Sequence, residues 1–410
     1  MRGFARVLLL SMGLGAALPA SPASAGVLEN VITQWRVHGE ACDDGLIWFP
    51  EAPMQVAMFE AINAITPKYR PYAKRIDAAP GASVDAAAAQ ASHDVLVALC
   101  PDQADDLKSA LEKSLKAVTD ASARDAGVRV GQAAAAAVLA ARAGSGHDAR
   151  DPVFPPPGPG VYAPTIPQVG LAFSRQRPWI LRTPDEVRPG PPPALSSETW
   201  ARDFNEIKAL GARKSETRSA AQTDSANFWK DRSTAIVLEQ LVGRPGRSLV
   251  DDARFLALAE MALNDSYVAM MDGKYHYDLW RPITAIHNAG MDGNDATAPD
   301  PTWRNLDDTP NHAEYPCGHC LSAAAIGEVI AREFGANPPP IVLEAKDFRV
   351  RRFDTPREYV DDVAQSRIWL GVHYRFSVDA GVAAGTAIGA LATERHFLPL
   401  EQTANAAAHD

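Results

Sequence analysis

The stretch LVDDARFLALAEMALNDSYVAMM, residues 249–271, decides the fold class. Phe255, Leu256, Leu258, Ala259 and Leu263 fall on one apolar side at helical spacing. Outward from it the same period recurs. A short helical pattern lies near Met54 to Ile65. Residues 83–143 read as helix throughout, with Leu107, Leu111, Leu115 and Val118 in step and Pro101 as a break. Helices resume over about 196–241, from Gly318 to Phe334, and over about 357–370 and 378–396. No strand alternation and no fixed-period repeat stands out. The expectation is an all-α protein of packed helical bundles.

Between the two helical halves the composition changes. Pro155-Pro156-Pro157-Gly158-Pro159-Gly160 and Pro189-Gly190-Pro191-Pro192-Pro193 crowd residues 144–195. A long irregular segment inside a compact protein is either functional or a linker. One expectation is that it covers a site mouth, together with Phe173 and Trp179. The chain thus divides into residues 26–143, an irregular segment 144–195, and a helical part 196–410.

The whole chain has 410 residues, 46% hydrophobic and 22% charged, which excludes wholesale disorder. A net charge of -10 argues against nucleic acid as a partner. Residues 1–25 read as an export signal. Arg2 and Arg6 precede an apolar run from Val7 to Leu18, and Ala23-Ser24-Ala25 gives a small-x-small cleavage pattern. That run is too short to span a bilayer, and no later stretch is apolar enough. The expectation is a soluble periplasmic or secreted protein without a stable membrane span. Cys42, Cys100, Cys317 and Cys320 are then free to form disulfides. Four cysteines allow three pairings, of which Cys42–Cys100 with Cys317–Cys320 is the simplest.

Three short segments in the C-terminal half carry the chemistry. They are Lys274-Tyr-His-Tyr-Asp-Leu-Trp-Arg281-Pro282, then Pro316-Cys317-Gly318-His319, then Ser366-Arg367 followed by His373. Three cations are costly to gather unless an anion sits between them. Arginine forks match tetrahedral oxyanions. Gly318, at a helix start, lets backbone N–H groups approach an anion under a favourable dipole. Two histidines then supply a nucleophile or ligand and an acid or base. A straight helix would leave Arg367 and His373 about 240° apart, and Gly371 offers a place to end or loosen it; their convergence is inferred from the whole set of residues. Pro282 likewise disfavours helical geometry at Arg281.

The order Lys-x6-Arg-Pro, Pro-x-Gly-His, Ser-Arg-x5-His resembles the type 2 phosphatidic acid phosphatase (PAP2) and vanadium-dependent haloperoxidase superfamily. Tyr275 to Trp280, Thr309-Pro310, Glu314-Tyr315 and Phe59 to Ile65 resemble its bacterial haloperoxidase-like branch. The resemblance implies helical bundles of the PAP2/haloperoxidase type. It implies that Lys274, Arg281 and Arg367 hold the equatorial oxygens of vanadate or phosphate, with Gly318 as backbone donor. It makes His319 the acid–base histidine. His373 becomes the vanadium ligand of a haloperoxidase or the phosphohistidine nucleophile of a phosphatase. The substrates would be hydrogen peroxide and a halide, or a phosphoester. His312, seven residues before His319, matches the position where bromide-using members carry histidine; read alone, it is a loop histidine.

Two positions depart from the pattern. Cys317, in the oxyanion-binding stretch, replaces the usual serine, and a thiol is a weaker donor than a hydroxyl. A Cys317–Cys320 disulfide would remove both the donor and its oxidation liability. Ser377, four after His373, stands where many phosphatase-type members have aspartate, with Asp379 nearby. A different class also fits one stretch. Cys317-Gly318-His319-Cys320 resembles a thiol-disulfide oxidoreductase tetrapeptide at a helix start. That chemistry usually follows a strand, and none is read here. Zinc binding by the same pair lacks a second pair, with His312 and Glu314 as the only extra ligands in view. A site that merely binds phosphate is the non-enzymatic reading.

Overall fold

The computed structural model describes residues 31–42, 50–145, 156, 158–163, 170–230, 233–335, 337–344 and 350–400. Residues 1–25 lie outside this set. The N-terminal half is built from α1 (Val31–Cys42), α2 (Glu51–Ile65), α3 (Val84–Leu99), α4 (Ala104–Ala117) and α5 (Ala121–Arg142). The run read as helix over 83–143 with one break at Pro101 is therefore three helices, with a second break before Ala121. Pro101 opens a short 3-10 turn, Pro101–Gln103, and Asp120 caps α5 by accepting the N–H of Ala123. Helices α2, α3 and α5 pack against one another, with α4 laid on α3.

The C-terminal half contains α6 (Glu198–Leu210), α7 (Ala220–Trp229), α8 (Leu249–Tyr277), α9 (Pro282–His287), α10 (Gly318–Phe334), α11 (Pro356–Trp369) and α12 (Arg375–Arg395). The 196–241 region is interrupted because Ser219 and Gln222 form a capping box that starts α7 afresh. Two short 3-10 turns, Thr234–Val237 and Glu239–Leu241, close it. A hairpin that the sequence did not announce pairs β1 (Ile341–Glu344) with β2 (Val350–Phe353), antiparallel, with Ile341 opposite Phe353. At four residues each, the strands are too short for alternation to show.

Helix α8 joins the halves. It packs on α2 at one side and on α10 at the other, and one apolar core runs from Trp35 to Phe397 through both. The all-α reading holds, with that hairpin as the one described sheet. Helix α12 is the one described helix long and apolar enough to cross a membrane by length and composition. Here it is a core helix. Its Gly381, Gly385 and Gly389 lie on carbonyls of α10 and of Cys317, the residue that caps it. A Cβ on Gly385 would stand 2.1 Å from the Leu321 oxygen. Gly385→Ala is therefore expected to force the helices apart and cost about 1–3 kcal/mol. An unchanged melting temperature by circular dichroism would contradict this packing.

The irregular segment is not a slack linker where it is described. The buried Asp265 carboxylate on α8 accepts the N–H groups of Trp179, Ile180 and Leu181 at 2.7, 2.8 and 2.9 Å. Burial pushes this carboxyl up to about 6, and those N–H groups pull it back. Arg142 stacks on Trp179 at 4.1 Å and donates to the Pro178 oxygen. Further on, Tyr277 and Tyr315 donate their hydroxyls to the oxygens of Pro189 and Gly190.

Candidate functional site

Three changes of chain direction bring the motifs together. Helix α8 ends at Tyr277, and Asp278 takes a left-handed conformation at φ 46°. Arg281 is then extended ahead of Pro282, the first residue of α9. Lys274 thus sits in the last turn of α8 and Arg281 just past the reversal. Helix α11 ends at Trp369, and Gly371 turns the chain at φ 79°, where a Cβ would stand 2.5 Å from the Gly211 oxygen. That turn delivers His373. The third motif element, Gly318, opens α10, and a Cβ there would meet the Met270 sulfur at 2.1 Å.

Lys274 and Arg281 are fully buried. Lys274 Nζ donates to the oxygens of Ala313 and Glu314 at 2.9 and 2.8 Å. An ammonium has three donors, so one remains for a ligand. Burial holds this lysine well below its ordinary value, and Arg281 adds to the effect while Glu314 opposes it. Arg281 donates from Nε to the His312 oxygen at 2.8 Å and from Nη1 to the Val372 oxygen at 2.9 Å. Its Nη2 lies 2.9 Å from His312 Nδ1. Burial lowers the guanidinium to about 10. Arg367, in the last turn of α11, is also buried and donates to the Trp229 oxygen at 3.2 Å.

His373 has two different nitrogens. Nδ1 lies 2.8 Å from Glu314 Oε1, and Nε2 lies 3.4 Å from Arg281 Nη1. Arginine only donates and carboxylate only accepts, so the proton sits on Nδ1 and the Nε2 lone pair faces the cations. Burial, then Arg281, Lys274 and Arg367, keep the ring neutral by lowering its pKa well below 6.5. Glu314 is buried, also accepts the Tyr374 N–H at 3.1 Å, and is pushed by burial up to about 7 against the pull of Lys274 and Arg281. His312 is half-buried, and its Nδ1 lies between Arg281 Nη2 at 2.9 Å and the Ala313 oxygen at 3.2 Å, a donor and an acceptor that call for opposite tautomers. His319, half-buried in the first turn of α10, is depressed by burial and then by Arg367, Lys274 and Arg281.

All the residues singled out from the motifs therefore meet at one place: Lys274, Arg281, His312, Cys317, Gly318, His319, Arg367 and His373. Cys317 contributes no S–H. It is disulfide-bonded to Cys320, and its sulfur accepts the Cys320 N–H at 3.3 Å as the cap of α10. Both sulfurs are fully buried, which leaves no approach for an attacking thiolate and no thiolate for zinc. Cys100 is disulfide-bonded as well, while the Cys42 side chain lies outside the described residues.

Sequence reasoning missed the role of Glu314. Ser377 stands at the family's aspartate position, and Asp379 is the nearby candidate to substitute for it. Asp379 instead faces Arg375, Asp203, Glu206 and Arg202. A glutamate between Ala313 and Tyr315, directly before Pro316-Cys317, was the available signal: a charge in an apolar run. Tyr162 was missed too. It is buried, its N–H donates to the Asp278 oxygen at 2.8 Å, and its phenol lies in the field of Arg281. Trp280 returns an N–H to the Gly160 oxygen at 3.0 Å, so the Pro/Gly turn flanks the site. Phe173 and Trp179, expected over the mouth, pack instead on Tyr267 and on Tyr72 in the main core.

Among the described residues no group of three or more His, Cys, Asp and Glu is placed to hold a bare metal ion. The donors suit an anion instead. Three cations, a helix N-terminus and one imidazole lone pair gather with only one carboxylate, Glu314, among them, which is the donor chemistry of a tetrahedral oxyanion site.

Residues 254–401 match the model of the VCPO second helical-bundle domain, which spans all three motifs. Over 178 residues the chain is 25% identical to vanadium chloroperoxidase of Curvularia inaequalis, covering 32% of this chain and 29% of that protein. Over 84 residues it is 36% identical to decaprenylphosphoryl-5-phosphoribose phosphatase of Mycobacterium tuberculosis, covering 20% and 38%. The chain thus spans less than two fifths of the length of these curated relatives. In fold, it resembles a bacterial vanadium-dependent iodoperoxidase with a TM-score of 0.73 at 19% identity, over 92% of this chain and 97% of that one. A holo-type bacterial vanadium-dependent chloroperoxidase follows at 0.66 and 19%, over 89% and 91%. The superfamily resemblance read from the motifs is borne out, with homologues among both haloperoxidases and PAP2-type phosphatases.

Proposed function

We propose that this chain is an exported haloperoxidase-type enzyme that oxidises halide, bromide favoured, with hydrogen peroxide on bound vanadate. The observation that carries the proposal is the orientation of His373. Its Nδ1 is fixed by Glu314, so the Nε2 lone pair points toward Arg281 as the one uncharged ligand among cations. Lys274, Arg281, Arg367 and the Gly318 N–H would hold the oxyanion, with His373 Nε2 as its protein ligand. Bound vanadate would supply Lewis-acid activation of peroxide toward a halide.

The chain's own residues then have separate tasks. Lys274 and Arg281 are tied to backbone oxygens before any anion arrives, which fixes where negative charge is stabilised. His319 holds or moves a proton at the half-buried end of the site. It is neutral when the cations are uncompensated, and a bound anion raises its proton affinity. His312 stands beside Arg281 at the position that the family resemblance links to bromide use.

A second reading is favoured by the phosphatase relative and by the same nitrogen. His373 Nε2 would attack phosphorus, the ester P–O bond would break, and His319 would protonate the leaving oxygen. Water would then hydrolyse the phosphohistidine. One paired assay on the chain stripped of metal separates the two. Bromide-dependent peroxide consumption that appears only with orthovanadate supports the haloperoxidase. Aryl phosphate hydrolysis inhibited by vanadate, without halide oxidation, supports the phosphatase. Silence in both arms would sink the catalytic reading.

A further inference from the structure

We infer that the Cys317–Cys320 disulfide is a positioning element of the oxyanion site, holding the turn that presents the Gly318 N–H and the His319 ring. This rests on the oxyanion reading above. The bridge closes over two residues only, and those two are Gly318 and His319. One is the backbone donor and the other the acid–base side chain.

The local chemistry explains why a covalent tie is placed here. The first turn of a helix is the part most prone to fray, and a side-chain cap ordinarily holds it. Cys317 fills that position, but sulfur is a poor acceptor, and its contact to the Cys320 N–H is 3.3 Å. A cap of that strength would leave the anion-binding N–H groups loosely aimed. The bond to Cys320 removes that freedom.

The rest of the turn is clamped from both sides. The Cys317 N–H donates to the Ser377 oxygen at 3.2 Å. Gly381 of α12 comes so close that a Cβ would lie 2.5 Å from the Cys317 oxygen, and Gly318 abuts the Met270 sulfur. Ala364, Ile368 and Val378 seal the two sulfurs into an apolar cluster. A disulfide sealed in this way serves geometry rather than exchange.

The test uses the full exported chain in non-reducing buffer, with inorganic phosphate as probe and calorimetry as readout. C317A/C320A, which removes both bridge and cap, is expected to weaken phosphate binding at least tenfold while keeping its helical circular dichroism. C317S/C320A, which restores a hydroxyl cap without the bridge, is expected to recover most of that loss. A Kd within twofold of wild type in folded C317A/C320A would overturn the proposal. Equal weakening in both variants, matched by equal loss of melting temperature, would also overturn it, because that marks general stability rather than positioning. Should the double alanine fail to fold, C320A alone, which keeps the capping sulfur, is held to the same Kd criterion. Wild-type protein that binds neither phosphate nor orthovanadate would instead overturn the oxyanion reading itself.

Discussion

His373→Ala is expected to reduce turnover by at least about 10⁴-fold in either chemistry, while phosphate binding falls far less. The asymmetry follows from what the side chain does. On the proposed reading, Lys274, Arg281 and Arg367 supply the charge that attracts an oxyanion, and each keeps a bond to a backbone oxygen when the imidazole is removed. The lone pair on Nε2 is different. In the described site, His312 is engaged through Nδ1 with Arg281 and the Ala313 oxygen and does not stand in for it. Removing the ring also leaves Glu314 with one fewer donor, at a cost in stability of about 1–3 kcal/mol. Turnover is therefore compared with phosphate affinity on protein shown to be folded. Activity retained within tenfold would overturn the assignment of His373. Equal collapse of binding and turnover would mean that the ring builds the site rather than reacting in it.

Glu314→Gln is expected to separate the two quantities in another way. The amide oxygen can still accept the Nδ1 proton, so the ring keeps its orientation, but the negative charge that makes Nε2 a better donor is gone. Partners of this kind typically matter 10–100-fold, and a fall of that size is expected in kcat. Phosphate affinity should stay level or tighten, because a carboxylate beside Lys274 and Arg281 has been neutralised. Weaker phosphate binding with unchanged kcat would contradict the role given to Glu314. Glu314→Ala is less informative, since it strips the buried cations of their carboxylate and can destabilise the fold by about 3–5 kcal/mol.

Much of the fold is legible in sequence because its helices are long and amphipathic. The helix expected from Gly318 to Phe334 has those limits in the structure. Helix α8 outruns its expected end at residue 271 because Lys274 to Tyr277 carry no breaker, and the reversal waits for Asp278 in a left-handed conformation. Aspartate tolerates that conformation without announcing it. By contrast, the turn at Gly371 was readable as a candidate, since a glycine between Arg367 and His373 offers a place for the helix to end. Motifs list donors but not the acceptors that aim them. Glu314 meets His373 across 59 residues, and Arg281 meets His312 across 31. No local pattern encodes such pairings; they arise when α8, α10 and α11 are packed around one point.

The anchoring of Arg281 has a further consequence. Its guanidinium ties the chain at 312 to the turn at 372, and its own residue caps α9, so a single side chain rivets three separate stretches. A mould of that kind is set during folding and keeps its shape while empty. On the proposed reading, oxyanion uptake then resembles a key entering a cut lock more than a hand closing on an object. Its rate should follow the traffic of ions to the mouth, quickened by dilute salt and slowed by concentrated salt.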